Sequence, residues 1–146
     1  QPETKLHGQL DNGKLSLSAK IKGHEIIEIN PVDATTKNLK NSDIVRVFNQ
    51  RGICYCGVKI TDDVMPGVVV IRTGSWYDPV SPGTPMTPCK HGNPNVLTPD
   101  IGTSKIAQGP AAHSCLVNFE KYHGSPLQIT AHEPPKINRT AAKNRR

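Results

Sequence analysis

Histidine and cysteine have the widest chemical range in this sequence, and their spacing decides what they can do. The 146 residues include four cysteines and six histidines. Cys54 and Cys56 stand two apart, and Val58 and Ile60 continue the same parity. On a strand all four side chains share one face, so the two thiols read as small buried hydrophobes. A structural zinc site prefers Cys-x₂₋₄-Cys in a knuckle. Cys89-Lys90-His91 and His113-Ser114-Cys115 have ligand residue types without that spacing, and such loose matches carry little weight. A single disulfide involving Cys89 or Cys115 is left open. Neither a Gly-x-Ser-x-Gly nucleophile elbow nor a Walker phosphate loop is present. Gly74-Ser75 at a strand end has the makings of a self-cleaving pyruvoyl precursor, but two turn residues before Trp76 is the simpler reading.

The elements that must position these residues are short. Residues 1–23 form a polar, glycine-punctuated arm with a turn at Asp11-Asn12-Gly13 and one short strand expected over 14–19. HEIIEIN is a strand, with Glu25, Ile27 and Ile29 on one face and Ile26 and Glu28 on the other. Asn30-Pro31 starts a helix: a capping Asn, proline at the first helical position, and Asp33 in the first turn. Residues 44–60 form a hairpin across Arg51-Gly52. A capped helical turn is expected over 61–65, and a mostly apolar central strand over Val68 to Arg72. The segment 73–95, with five prolines, is a long loop of the kind that more often serves function than mere connection. A short helix from Thr98-Pro99-Asp100, a strand in SCLVNFEKY and a last strand in LQITAHE follow. The pattern is mainly β with short helices, a barrel or sandwich.

The charge is +6, from 18 basic and 12 acidic residues, which invites a nucleic-acid reading. Its distribution argues otherwise. Residues 136–146, KINRTAAKNRR, supply +5 of it and no acid, leaving a nearly neutral domain with a basic tail. Six aromatic residues are too few for a base-stacking surface. No apolar run approaches a transmembrane span. The chain begins at Gln1 and its first methionine is Met65, as expected of a processed product or of a piece of something longer.

Six segments then carry a resemblance: LHGQLDNG, INPVDATTK, DIVRVFNQRG, VMPGVVVIRTGSWYDP, HGNPNVLTPDIGTSKIAQG and SCLVNFEKYHG, in order over about residues 1–132. Together they resemble the C-terminal domain of the dimethyl sulfoxide reductase family, in the branch of the trimethylamine N-oxide, dimethyl sulfoxide and biotin sulfoxide reductases. The resemblance implies a six-stranded double-psi β-barrel over 24–135, with 1–23 as its arm and 136–146 as its basic tail. It also implies a larger molybdenum enzyme carrying bis(molybdopterin guanine dinucleotide), whose remaining domains are this chain's partners. Neither nucleic-acid binding nor membrane insertion belongs to that picture. The implied compartment is the periplasm, or the cytoplasm for the biotin sulfoxide type.

The resemblance also assigns cofactor-binding residues. The family's Arg-Leu-His-Ser-Gln matches Lys5-Leu6-His7-Gly8-Gln9, which replaces the arginine fork with Lys5 and the serine hydroxyl with Gly8. His7 and Gln9 would then face the pterin. The asparagine of the N-V-L motif falls on Asn95, and the family's Gly-Gln pair on Ala112-His113. The metal-ligand serine lies in another domain, so this chain is expected to clamp the cofactor and to be inert alone. The competing expectation is a free-standing barrel that binds a partner or nucleic acid through its basic tail.

Overall fold

The computed structural model describes residues 2–106, 108–109 and 114–134. The tail 136–146 and the expected site residues Ala112 and His113 lie outside them.

Five strands form one sheet: β1 (Ile26–Ile29), β2 (Ile44–Phe48), β3 (Ile53–Ile60), β4 (Val69–Ile71) and β5 (Asn118–Lys121), in the order β4-β1-β3-β2-β5. β2 and β3 form the expected antiparallel hairpin, with Val45 opposite Cys56 and Val47 opposite Cys54. β1 runs parallel to β3, Ile27 opposite Val58. That pairing requires a crossover, supplied by the helix α2 (Pro31–Thr36) and by β2. α2 begins as its sequence dictates: Asn30 Oδ1 accepts the Val32 N–H at 2.9 Å, and Asn30 Nδ2 donates to the Val64 carbonyl at 2.7 Å. One residue thus caps the helix and ties it to the turn before β4.

The core is the inner face of this sheet. Ile27, Ile29, Val45, Val47, Cys54, Cys56 and Val58 are fully buried, and Leu39, Leu97 and Phe119 close over them. The parity read for β3 is therefore met, and both of its thiols serve as packing atoms, their sulfurs 3.9 Å apart. All four cysteines are free thiols. On the other face of β1, Glu28 is buried and balanced by Lys59 at 3.0 Å and Arg72 at 3.1 Å.

Several expectations are corrected. The segment 14–19 is a helix, α1 (Lys14–Ala19), not a strand. Its Leu15 and Leu17 stay exposed while Ser16 faces inward, so strand alternation had no apolar face to bury. Residues 61–65 form a non-helical turn, and β4 is an edge strand rather than a central one, with Val70 exposed. No helix starts at Thr98; a 3-10 turn at Pro94–Val96 precedes it. LQITAHE is not a strand, because side chains take its backbone groups: Thr130 N–H donates to Asp78 Oδ2 at 2.6 Å, and Lys90 Nζ donates to the Gln128 carbonyl at 2.9 Å. The described residues thus hold five strands in an open sheet, not the six of a closed barrel. The sheet nevertheless curls. Val69 and Ile71 of β4 and Phe119 of β5, its two edges, line one apolar groove of about 360 Å³.

Candidate functional site

The arm folds into a tight turn. The Leu6 carbonyl accepts the Gln9 N–H at 2.9 Å, and two non-glycine residues, His7 (φ 48°) and Leu10 (φ 62°), adopt the left-handed region. Such backbone is costly and persists where its surroundings over-determine it. Here the surroundings are Gly74-Ser75-Trp76, at the start of the long loop. Trp76 Nε1 donates to the Gly8 carbonyl at 2.7 Å. Gly74, at φ 101°, sits so close that a Cβ would run into the His7 carbonyl, which only glycine allows.

Beneath the turn lies a buried ionic cluster. Asp11 Oδ1 accepts from Lys5 at 2.9 Å and Lys20 at 3.0 Å, while Oδ2 accepts from the Trp76 backbone N–H at 3.1 Å and His132 Nε2 at 3.0 Å. Glu25 Oε2 accepts from Lys5, from Lys20 at 3.1 Å and from the Ser75 hydroxyl. Two ammoniums against two carboxylates balance the charge, as burial demands. Burial alone would raise the Asp11 carboxyl, but hydrogen bonds from Lys5, Lys20 and the Trp76 N–H outweigh it and hold it well below the usual range. Glu25 is likewise lowered against its burial, first by the Lys20 charge and then by the Lys5 hydrogen bond. Burial opposes the Lys5 charge, yet hydrogen bonds to Asp11 and Glu25 raise it above 10.5. The lysine that replaces the expected arginine thus serves three acceptors with one ammonium, Ser75 Oγ at 3.4 Å being the third.

His91 is fully buried beside this cluster. Its Nδ1 donates to the Trp76 carbonyl at 3.0 Å, and its Nε2 has no hydrogen-bond partner. Burial first, and the Lys20 charge second, push its pKa down to about 4. The ring is therefore neutral at pH 7, with its proton on Nδ1. Asp11, His91 and His132 offer ligand atoms within 4.8 Å of one another. The same field that keeps His91 neutral opposes a divalent cation there, since two lysine ammoniums already occupy Asp11 Oδ1.

His7 and Gln9 share the braced turn and are exposed. Asn95 sits in the 3-10 turn, its backbone N–H bonded to Asn93 Oδ1 at 2.9 Å. The following loop is pinned by Asn49 Nδ2, which donates to the Leu97 carbonyl at 2.9 Å. Trp76 links the two regions: its ring holds the His7 turn, and its carbonyl holds His91, four positions before Asn95. The side chains of His7, Gln9 and Asn95 make no hydrogen bond among the described residues. An imidazole and two carboxamides, exposed and unpartnered on fixed backbone, fit the donor and acceptor edges of a pterin or guanine.

Sequence reasoning missed the supporting residues Asp11, Lys20, Glu25, Ser75 and His132. Charges scattered through a polar arm look solvated, and no spacing rule joins Asp11 to a histidine 121 positions away. Asp78 holds the mouth of the long loop: its carboxylate accepts from Thr130 Oγ1 at 2.7 Å and pairs with Lys90 at 3.4 Å. Among the described residues no helix is long and apolar enough to cross a membrane.

A curled, mainly β domain with a braced polar turn is the class that fold and site define, and comparison with known proteins names it. The family model described as Molydopterin dinucleotide binding domain matches residues 1–116. Trimethylamine-N-oxide reductase 1 of Escherichia coli is 47% identical over 130 residues, covering 88% of this chain and 15% of that protein. Dimethyl sulfoxide/trimethylamine N-oxide reductase of Cereibacter sphaeroides is 43% identical over 135 residues, covering 92% and 16%. Acetylene hydratase from Pelobacter acetylenicus shares the fold, with a TM-score of 0.54 at 15% identity over 68% of this chain and 14% of that one. The chain belongs to the molybdopterin dinucleotide-binding domain family. It spans about 15% of the length of the curated relatives it matches.

Proposed function

We propose that this chain clamps bis(molybdopterin guanine dinucleotide) within a longer molybdenum enzyme that reduces N-oxides or S-oxides. One observation carries the reading: a turn braced from outside presents His7 and Gln9 with no partners of their own among the described residues. Each group combines donor and acceptor capacity, which a pterin edge requires. Asn95 belongs to the same set, and by resemblance so do Ala112 and His113. When bound, the cofactor supplies a molybdenum centre that exchanges two electrons and takes an oxygen atom from the oxide. The chain's own residues bind and orient: His7 and Gln9 fix one pterin edge, Asn95 a second polar edge, and the ionic cluster keeps their backbone rigid.

The finer architecture is part of the proposal. The two sheet edges, unpaired among the described residues and facing one apolar groove, support a double-psi barrel in which a sixth strand closes the gap. Residues 1–23 act as its arm, 24–135 as its core and 136–146 as a basic tail. Identity to the trimethylamine N-oxide reductases supports a periplasmic location.

The test is cofactor loading in the full-length enzyme. His7→Ala and Asn95→Ala should each lower bound molybdenum and extractable pterin. Wild-type loading in both variants would overturn the reading. The chain alone should not reduce trimethylamine N-oxide with reduced methyl viologen, and turnover there would overturn its role as a clamp.

A further inference from the structure

We infer that Trp76 is a positioning residue for cofactor binding, acting through the Gly8 carbonyl on the turn that carries His7 and Gln9. This rests on the proposed function and extends it to a residue that the family resemblance does not assign to the cofactor. Every polar atom of Trp76 is engaged, and each by a different partner. Its backbone N–H goes to Asp11, its carbonyl takes His91 Nδ1, and its ring N–H goes to Gly8. His132 packs against the ring in a T-shaped arrangement, 5.0 Å between centroids, and is itself bonded to Asp11. Loop, arm and the segment around residue 132 therefore meet at one side chain.

The turn needs that hold. Within itself it has the Gln9-to-Leu6 bond, set against two left-handed non-glycine residues. Gly74 blocks His7 from one side, and the Trp76 ring N–H draws Gly8 from another. Removing the indole N–H would let the turn sample other conformers. Apparent affinity falls by the fraction of molecules that still hold the competent one. A ring 44% exposed makes this a modest loss to the fold and a larger one to the ligand.

The experiment is a mutant cycle on the full-length holoenzyme, read as the rate of pterin release in mild urea by fluorescence of the oxidised pterin. Thermal melts run in parallel. Trp76→Phe keeps the ring and loses the N–H, and should speed release about five-fold, the usual scale of one hydrogen bond. In a His7→Ala/Gln9→Ala background the same change should add nothing, because the side chains it positions are gone. Additive effects, or unchanged release in Trp76→Phe while the double variant releases faster, would overturn the inference and leave the clamp standing. Unchanged release in the His7→Ala/Gln9→Ala enzyme would instead overturn the clamp itself. If Trp76→Phe does not fold, His132→Gln is run through the same cycle. It removes the imidazole that packs on the indole and leaves the indole N–H itself, with the same expected non-additivity and the same overturning results.

Discussion

His132 Nε2 donates to Asp11 Oδ2 at 3.0 Å, joining segments 121 residues apart in the interior of the domain. Asp11 is the point where the arm, the start of the long loop and the segment around residue 132 converge, so substitutions there act on all three.

Asp11→Asn removes a charge that faces two buried ammoniums, Lys5 and Lys20. Breaking one side of a buried pair costs about 3–5 kcal/mol. Urea unfolding of the chain should show a loss in that range. A loss under about 1 kcal/mol would mean that water reaches the cluster.

His91 sets a pH window. Its pKa falls from 6.5 to about 4 on folding, so between those values the unfolded chain binds the extra proton. Stability is then full above pH 6.5 and declines as pH falls toward 4, by roughly 3 kcal/mol for this group. His24, also lowered by burial, adds a loss of the same sign. Asp11 and Glu25, whose pKa values are depressed, lose their contribution only at lower pH. Melting temperatures measured from pH 7 to pH 4 should fall less steeply in His91→Gln than in the wild type. Equal slopes would remove His91 from the account.

Gly74→Ala places a methyl against the His7 carbonyl at a backbone angle that suits glycine. The expected cost is about 1–3 kcal/mol, measurable by denaturation. Unchanged stability would show that the turn can shift aside freely.

The thiols divide by burial. Cys54, Cys56 and Cys89 are fully buried, and Cys115 is half-buried in the apolar groove. Burial raises the Cys115 thiol, so its alkylation at pH 8 should be slow. Mass spectrometry should find Cys115 modified first by iodoacetamide and the other three only after unfolding. Early labelling of Cys54 or Cys56 would contradict the packing of β3.

Elements defined by local chemistry were legible in the sequence. The Asn30-Pro31 helix start, the hairpin turn at Arg51-Gly52 and the parity of Cys54, Cys56, Val58 and Ile60 each depend on neighbours within a few residues, and each is found. Misreadings fell where distant partners overrode local pattern. The alternation of 14–19 suggested a strand, but Lys20 had to reach Asp11 and Glu25. LQITAHE looked β-forming until Asp78 and Lys90 took its backbone groups.

The candidate site divides in the same way. By itself the sequence named, through ordered motifs, the side chains proposed to meet a pterin: His7, Gln9 and Asn95. Residue identity and order are properties of the chain alone. That His7 and Gln9 stand on a left-handed turn held by Trp76, above an ionic cluster tied to His132, was decided only by the tertiary structure. Hydrogen bonds spanning 65 to 121 residues leave no periodicity in a sequence, because their geometry exists only once the sheet has curled and brought those segments together.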